Sequence, residues 1–189
     1  MLTLYGNMKG FVWEYERLRW ICGRVCSKVN MRCTMPQIME DAMQIKLTPI
    51  TMENFDECLD LKVEDWQRDF VAPNANSIAE AYVDKMSIPL AIYADDTMVG
   101  FTMYGYVAQK QSGYILRLMI DSRYQKKGYG RRAMEIVLKK LKDAGCKRIV
   151  TSYHRNNTNA GALYEQLGFE KTGEFTDNGE IVCKLTVTS

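Results

Sequence analysis

Apolar positions along this chain fall into two rhythms, one of period two and one of period 3.6, and their alternation sets out the elements. Residues 45–48 read as a short strand, and Thr51-Met-Glu-Asn54 opens a helix with Thr51 as its N-cap that runs through Leu59 and Leu61. Pro73-Asn-Ala-Asn76 is expected to be a loop, after which Ser77 and Glu80 have the capping-box form for a second helix. Residues 89–94 and 98–104 flank Asp95-Asp96 as a hairpin. Tyr114-Ile-Leu-Arg-Leu-Met-Ile120 reads as a buried strand, and residues 133–142 return to helical spacing. A strand over residues 147–153, a helix over 159–167 stopped by Gly168, and two strands around Asp177-Asn-Gly179 complete the chain. Helices interrupt a mainly antiparallel set of strands, with one βαβ unit spanning residues 114–153. The expected fold is therefore a mixed α/β sandwich.

Residues 1–44 lack this grammar. They are rich in Met, Arg and Cys, with one amphipathic stretch at residues 11–21 carrying Trp13, Leu18 and Trp20. We expect an N-terminal extension at 1–44 and the folded domain at 45–189, a length that suits one full core. Glu14, Glu16, Glu40 and Asp41 argue against an organellar leader. Cys22, Cys26 and Cys33 match no common zinc spacing and have no histidine beside them, so no metal is expected.

Composition narrows the function classes. The 47% apolar and 25% charged content is ordinary for a soluble protein. A net charge of +2 argues against general polyanion binding, so no nucleic-acid partner is expected and any phosphate site must be local. No apolar run approaches the roughly 18 residues that span a bilayer, so no membrane partner is expected either. Six cysteines without a secretory pattern point to reduced thiols and a cytoplasmic location, with Cys146 and Cys183 packing as small apolar groups. The single histidine, His154, excludes a multi-imidazole site and reads as a surface or structural residue.

The candidate chemistry lies between the strand at 114–120 and the helix that follows. A short loop with Gly128 and Gly130 there leaves free backbone N–H groups at a helix mouth, where the dipole favours an anion. Lys126, Lys127, Arg131 and Arg132 add positive charge. The loop lacks the Gly-x4-Gly-Lys-Ser/Thr of nucleotide hydrolases. It is also not a dinucleotide fingerprint, because Ala133 stands at the third glycine position.

Gln125-Lys-Lys-Gly-Tyr-Gly130 resembles the Gln/Arg-x-x-Gly-x-Gly/Ala loop of the GNAT N-acetyltransferase superfamily. Asn157-Thr-Asn-Ala-Gly-Ala-Leu-Tyr-Glu-Gln-Leu-Gly-Phe169 resembles its second signature. The resemblance covers about residues 45–187. It implies a GNAT-type sheet with helices on both faces and acetyl-CoA as co-substrate. Gln125, Lys126, Lys127, Gly128, Tyr129 and Gly130 would cradle the pyrophosphate, supported by Arg131, while Met119 and Ile120 pair with the pantetheine arm and Asn157 contacts CoA. A backbone N–H near Met119 would polarise the thioester, and Tyr164 would protonate the departing thiolate, with no catalytic cysteine. Read from spacing alone, Tyr164 beside Leu163 and Leu167 is a core aromatic, Asn157 a helix-start residue and Met119 core, while Arg117 is unassigned.

Leu61-Lys-Val, Phe70-Val-Ala-Pro-Asn and Ser77-Ile-Ala-Glu-Ala-Tyr82 are similar to bacterial spermidine/spermine (diamine) N-acetyltransferases, as are residues 98–104 and 120–125. This implies a small-molecule polyamine acceptor, with Glu64 and Glu80 as the acids to hold it. Leu116 departs from relatives that carry an acid before the strand's arginine, so no general base is named. Protein, peptide or aminoglycoside acetylation and a non-catalytic acyl-CoA sensor are the alternatives. A homodimer is left open.

Overall fold

The apolar runs pair into one seven-stranded sheet in the computed structural model, which describes residues 44–187. The stretch at residues 11–21 and Cys22, Cys26 and Cys33 lie outside the described residues. The strands are β1 (Ile45–Pro49), β2 (Ser87–Ala94), β3 (Thr97–Val107), β4 (Ser112–Ile120), β5 (Arg148–Tyr153), β6 (Glu170–Phe175) and β7 (Ile181–Thr186). The helices are α1 (Phe55–Asp60), α2 (Asn74–Val83), α3 (Tyr129–Asp143) and α4 (Thr158–Gln166). The sheet order is β1-β2-β3-β4-β5-β7-β6. Every neighbouring pair is antiparallel except β4 and β5, which α3 joins as a parallel crossover.

Both sheet faces are covered. Tyr129, Ala133, Met134, Val137, Leu138 and Leu141 are the buried stripe of α3, spaced as a helix requires. Met134, Val137, Leu138 and Leu141 share a cluster with Leu90, Ile115, Ile149, Tyr164 and Phe169. On the opposite face Cys58 and Leu61 pack with Ala91, Phe101, Met103 and Met119. Each fully buried aliphatic side chain contributes roughly 1.5–3 kcal/mol. No helix among the described residues is long and apolar enough to cross a membrane.

Three expectations about helix ends are corrected. Thr51 does not cap α1: Asn54 stands at the N-cap, its Oδ1 accepting from Thr51 N at 2.8 Å and its Nδ2 donating to Pro49 O at 3.0 Å. Residues 73–76 are not a loop, because α2 begins at Asn74 with Pro73 as N-cap. Pro73 has φ preset at a helix-compatible −52°, and the buried Asn74 amide donates to Cys58 O at 2.8 Å. Those two local constraints outweigh the Ser77–Glu80 pattern, which falls inside the helix. The capping box lies at Glu64 and Gln67, opening a 3-10 turn over Asp65–Phe70 that the sequence reading did not anticipate.

Asp121 fastens this 3-10 region to the end of β4. Its carboxylate, 2% exposed, accepts from Lys62 N at 2.9 Å, Arg123 N at 3.0 Å and Arg123 Nε at 2.7 Å. Ser122 N donates to Lys62 O at 2.8 Å alongside. Burial alone pushes this carboxyl up, but the Arg123 side chain, the Lys62 and Arg123 N–H groups and the guanidinium charge more than offset it. The group is held below the usual carboxylate range.

Asp121→Asn is expected to lower the urea-unfolding free energy by about 2 kcal/mol, mostly through the Lys62 and Arg123 N–H groups left facing an amide. The largely exposed Arg123 guanidinium adds little. Because the folded carboxyl is depressed, its contribution is complete above the unfolded pKa of about 3.9 and is lost as pH falls through the lower folded value. The wild-type advantage should shrink below about pH 4. An advantage that persists unchanged at pH 2.5 would contradict this assignment.

Candidate active site

β4 and β5 run together only from Ser112/Arg148 to Ile115/Thr151 and then part. The cause lies on the other edge of β4. Its register with β3 steps from Tyr104/Ile115 to Met103/Arg117, leaving Leu116 as a one-residue bulge. A bulge bends its strand and increases the local twist, which turns β4 away from β5. Past the bulge, Thr102 Oγ1 donates to Arg117 O at 2.9 Å, Met119 O lies against Gly100, and Asp121 N donates to Val99 O at 2.9 Å. Backbone groups of residues 117, 119 and 121 therefore turn toward β3. By strand alternation those of Leu118 and Ile120 turn into the fork. By this parity the N–H groups that face the fork beside Met119 are those of Leu118 and Ile120, while Met119's own N–H turns to β3. Ile120 O is already engaged, accepting from Gln125 Nε2 at 3.0 Å.

The phosphate-type loop closes the open end of the fork. Lys126 at φ 62° and Gly128 at φ 82° both take the left-handed conformation, which delivers the chain into α3 with Gly128 as N-cap. A Cβ at Gly128 would touch nothing, so glycine is needed there for its backbone angle alone. At Gly130 a Cβ would meet Ile120 Cγ1 at 3.5 Å, an ordinary contact, so chain packing does not demand glycine. What its absence provides is bare backbone at the mouth of a 15-residue helix, where the first N–H groups have no intrahelical acceptor. These features fit a diphosphate. Tyr129, 8% exposed, anchors the loop among Ile92, Val99 and Ala133. Arg131 is steadied by Glu135 at 3.4 Å and Gln166 Oε1 at 3.2 Å, and Lys127 Nζ sits 5.4 Å over the Tyr124 ring.

A cleft of about 380 Å³ runs along the fork. Met119, Ile120, Gln125, Lys126, Gly128, Tyr129, Gly130, Arg131, Asn157 and Tyr164 all line it; of the expected residues there, only Lys127 stands outside the wall. Asn157 is the helix-start residue its spacing suggested, its Oδ1 capping α4 by accepting from Ala160 N at 3.2 Å, and it also lines the cleft. Tyr164 is buried between Tyr153 at 6.0 Å and Phe169 at 5.5 Å, with Thr151, the last β5 residue paired with β4, near its hydroxyl. Thr151 Oγ1 in turn donates to Ile115 O at 3.2 Å. Burial pushes the phenol up against the smaller opposing effect of Thr151, so Tyr164 stays protonated at neutral pH.

A second cleft of about 350 Å³ opens on the α1/α2 side, with Lys62, Arg68 and Asn74 as its polar wall. It shares Val63, Val71 and Met119 with the first, so the two meet over β4. Neither Glu64 nor Glu80 lines either cleft. Glu64 is spent as the cap of the 3-10 turn, and Glu80 Oε2 lies 2.8 Å from Arg117 Nη2. Arg117 Nη1 also donates to Leu116 O at 2.8 Å, so this arginine braces the bulge.

Sequence reading passed over Gln67, Phe70, Leu118, Asp121 and Thr151. Phe70 stacks 5.1 Å from the His154 ring across the cleft mouth, a pairing no spacing announces. Gln67 had one signal, its position three residues after Glu64 in a capping-box spacing.

Residues 48–169 match the sequence profile of the Acetyltransferase (GNAT) family. The chain is 33% identical over 147 residues to a Bacillus subtilis spermine/spermidine N(1)-acetyltransferase, covering 74% of this chain and 97% of that protein. It is 29% identical over 82 residues to a Salmonella typhimurium ribosomal protein bS18-alanine N-acetyltransferase, covering 43% and 54% of the two chains. The crystal structure of a Vibrio cholerae spermidine N-acetyltransferase in complex with CoA and spermine superimposes with a TM-score of 0.62 at 15% identity, over 76% of this chain and 95% of that one. The profile match spans more than half of the chain and agrees with the bulged, parted strand and its glycine loop. This protein belongs to the GNAT family and is an acetyl-CoA-dependent N-acetyltransferase.

Proposed function

We propose that this enzyme acetylates a primary amine of a polyamine such as spermidine or spermine, by direct attack within a ternary complex. The observation that carries the reaction is the fork itself. A diphosphate-sized helix mouth lies at one end, a protonated tyrosine at the crotch, and a second cleft enters over Met119. In this arrangement the Gln125–Gly130 loop holds the CoA pyrophosphate, and the pantetheine arm follows β4 toward the bulge. The Leu118 N–H polarises the thioester carbonyl. The amine arrives from the α1/α2 side.

As the C–N bond forms and the C–S bond breaks, nitrogen loses a proton and sulfur gains one. An alkylammonium with a pKa near 10.4 must first shed a proton at pH 7, at a cost of about 4.6 kcal/mol. Tyr164 then supplies the proton to the thiolate, and the proton that nitrogen releases as the amide forms returns to the phenolate through water, so only the ammonium's first proton leaves to solvent. An ordinary phenol near 10 and a thiol near 8.5 are close enough for general-acid transfer, and burial moves Tyr164 upward from that ordinary value. No step needs a covalent enzyme intermediate, and Cys58, Cys146 and Cys183 are all buried.

Support for a polyamine comes from the 33% identity to the Bacillus enzyme along nearly its whole length, and from the exposed carboxylates Asp56, Glu57 and Asp60 on α1. One observation favours a second reading. The charged residues in the wall of the second cleft are Lys62 and Arg68, both cationic, which suits a peptide α-amine followed by carbonyls. A relative that acts on a ribosomal protein alanine is consistent with it.

With acetyl-CoA, thiol release should be at least tenfold faster with spermidine or spermine than with alanine-starting peptides. The reverse order would establish the peptide reading. Tyr164→Phe is expected to lower kcat by about 100-fold while leaving CoA affinity by calorimetry within about threefold. A full-rate phenylalanine variant would remove Tyr164 from the chemistry.

A further inference from the structure

Residues 62–71 cross the fork as a strap that belongs to both clefts. Val63 and Val71 line both, and Gln67 and Phe70 line the first. The 3-10 turn within the strap, Asp65–Phe70, has no buried residue; core packing reaches its flanks, Val63 and Val71, and leaves the turn itself unfixed. Polar and ring contacts hold it instead. Lys62 is tied through both backbone groups to Asp121 and Ser122, and Phe70 is stacked on His154.

Between these anchors lies a three-way junction. Gln67 Oε1 accepts from Glu64 N at 3.1 Å and from Gln125 Nε2 at 2.7 Å, while the same Nε2 donates its second hydrogen to Ile120 O at 3.0 Å. Gln125 is the first residue of the diphosphate loop, Ile120 is in the open stretch of β4, and Glu64 caps the 3-10 turn of the strap. One amide pair therefore joins the CoA-binding loop, the fork and the acceptor-side wall.

We propose that Gln67 is a positioning residue that couples occupation of the diphosphate loop to the placement of the strap, and so of the amine acceptor. The proposal rests on the reading of Gln125–Gly130 as the diphosphate cradle. An anion drawn onto the loop fixes the Gln125 backbone. The shared hydrogen bond then selects the strap position in which Gln67 closes the capping box, and linkage makes the effect reciprocal. The acceptor cleft is in this way completed by CoA binding.

The test is hydrogen–deuterium exchange with and without CoA on the full chain. CoA should slow exchange across residues 62–71 of the wild type by about fivefold or more. Gln67→Leu should lose that protection and, because the coupling is reciprocal, weaken its CoA Kd by calorimetry by up to about fivefold and no more. Gln67→Glu should retain the protection, because a carboxylate oxygen accepts the same two hydrogen bonds. Unchanged protection in the leucine variant, equal loss in the glutamate variant, or a leucine-variant Kd weakened far beyond fivefold would each overturn the coupling. Gly130→Asp separates this from the underlying reading: Gly130 has room for a side chain and an acid suits a helix start, yet the carboxylate should repel a diphosphate and weaken CoA at least ~100-fold. Unaltered affinity there would remove the cradle itself, whatever Gln67 does.

Discussion

Backbone hydrogen bonding inside a sheet is close to obligatory, and this molecule is organised around one place where it is withheld. Leaving a buried N–H or C=O unpaired costs on the order of 1–3 kcal/mol, so a strand does not part from its neighbour without compensation. Here the Leu116 bulge forces the separation, and side chains take up part of what is released. Arg117 reaches back to Leu116 O, Gln125 caps Ile120 O, and Thr151 closes the crotch on Ile115 O. The Leu118 backbone is turned toward the cleft. An amide-containing arm laid in the fork would restore the ladder that β5 abandons, the pairing on which the proposed reaction rests.

The crossover geometry then places the remaining parts. A parallel β4–β5 pair requires a connecting helix, and that helix must begin near the end of β4. Its mouth, with the dipole and free N–H groups, therefore opens where the fork is widest. On the other side, Tyr164 reaches the crotch from α4 because the helix packs its apolar face against β5 and β7. Burial keeps its phenol protonated. The electrostatics of the acceptor side are set by pairing more than by composition. Seven acids populate the first two helices and the segment between them, yet Glu80 is paired with Arg117, Asp65 with Arg68, and Glu64 is bound as a cap.

Periodicity located every strand of the sheet and the four α-helices to within a few residues, because those elements bury one stripe or one face and the stripe is visible in the order of residues. Helix starts were less legible. Ser77 and Glu80 carry a capping-box spacing, but Pro73 and the Asn74 bond to Cys58 O begin the helix four residues earlier. The 3-10 turn at Asp65–Phe70 buries no residue and so left no hydrophobic signature.

The linear order of residues by itself determined the glycine-bearing loop, its basic neighbours and the tyrosine beside Gly168-Phe169, since each depends on local backbone geometry or on a short fixed spacing. Tertiary structure decided the rest. The bulge that turns Leu118 rather than Met119 into the fork exists only once β4 is registered against β3. The contacts of Glu80 with Arg117, Phe70 with His154 and Gln67 with Gln125 join residues 37, 84 and 58 positions apart in the chain. Such pairings are settled by packing across the sheet, and no periodicity within a single element encodes them.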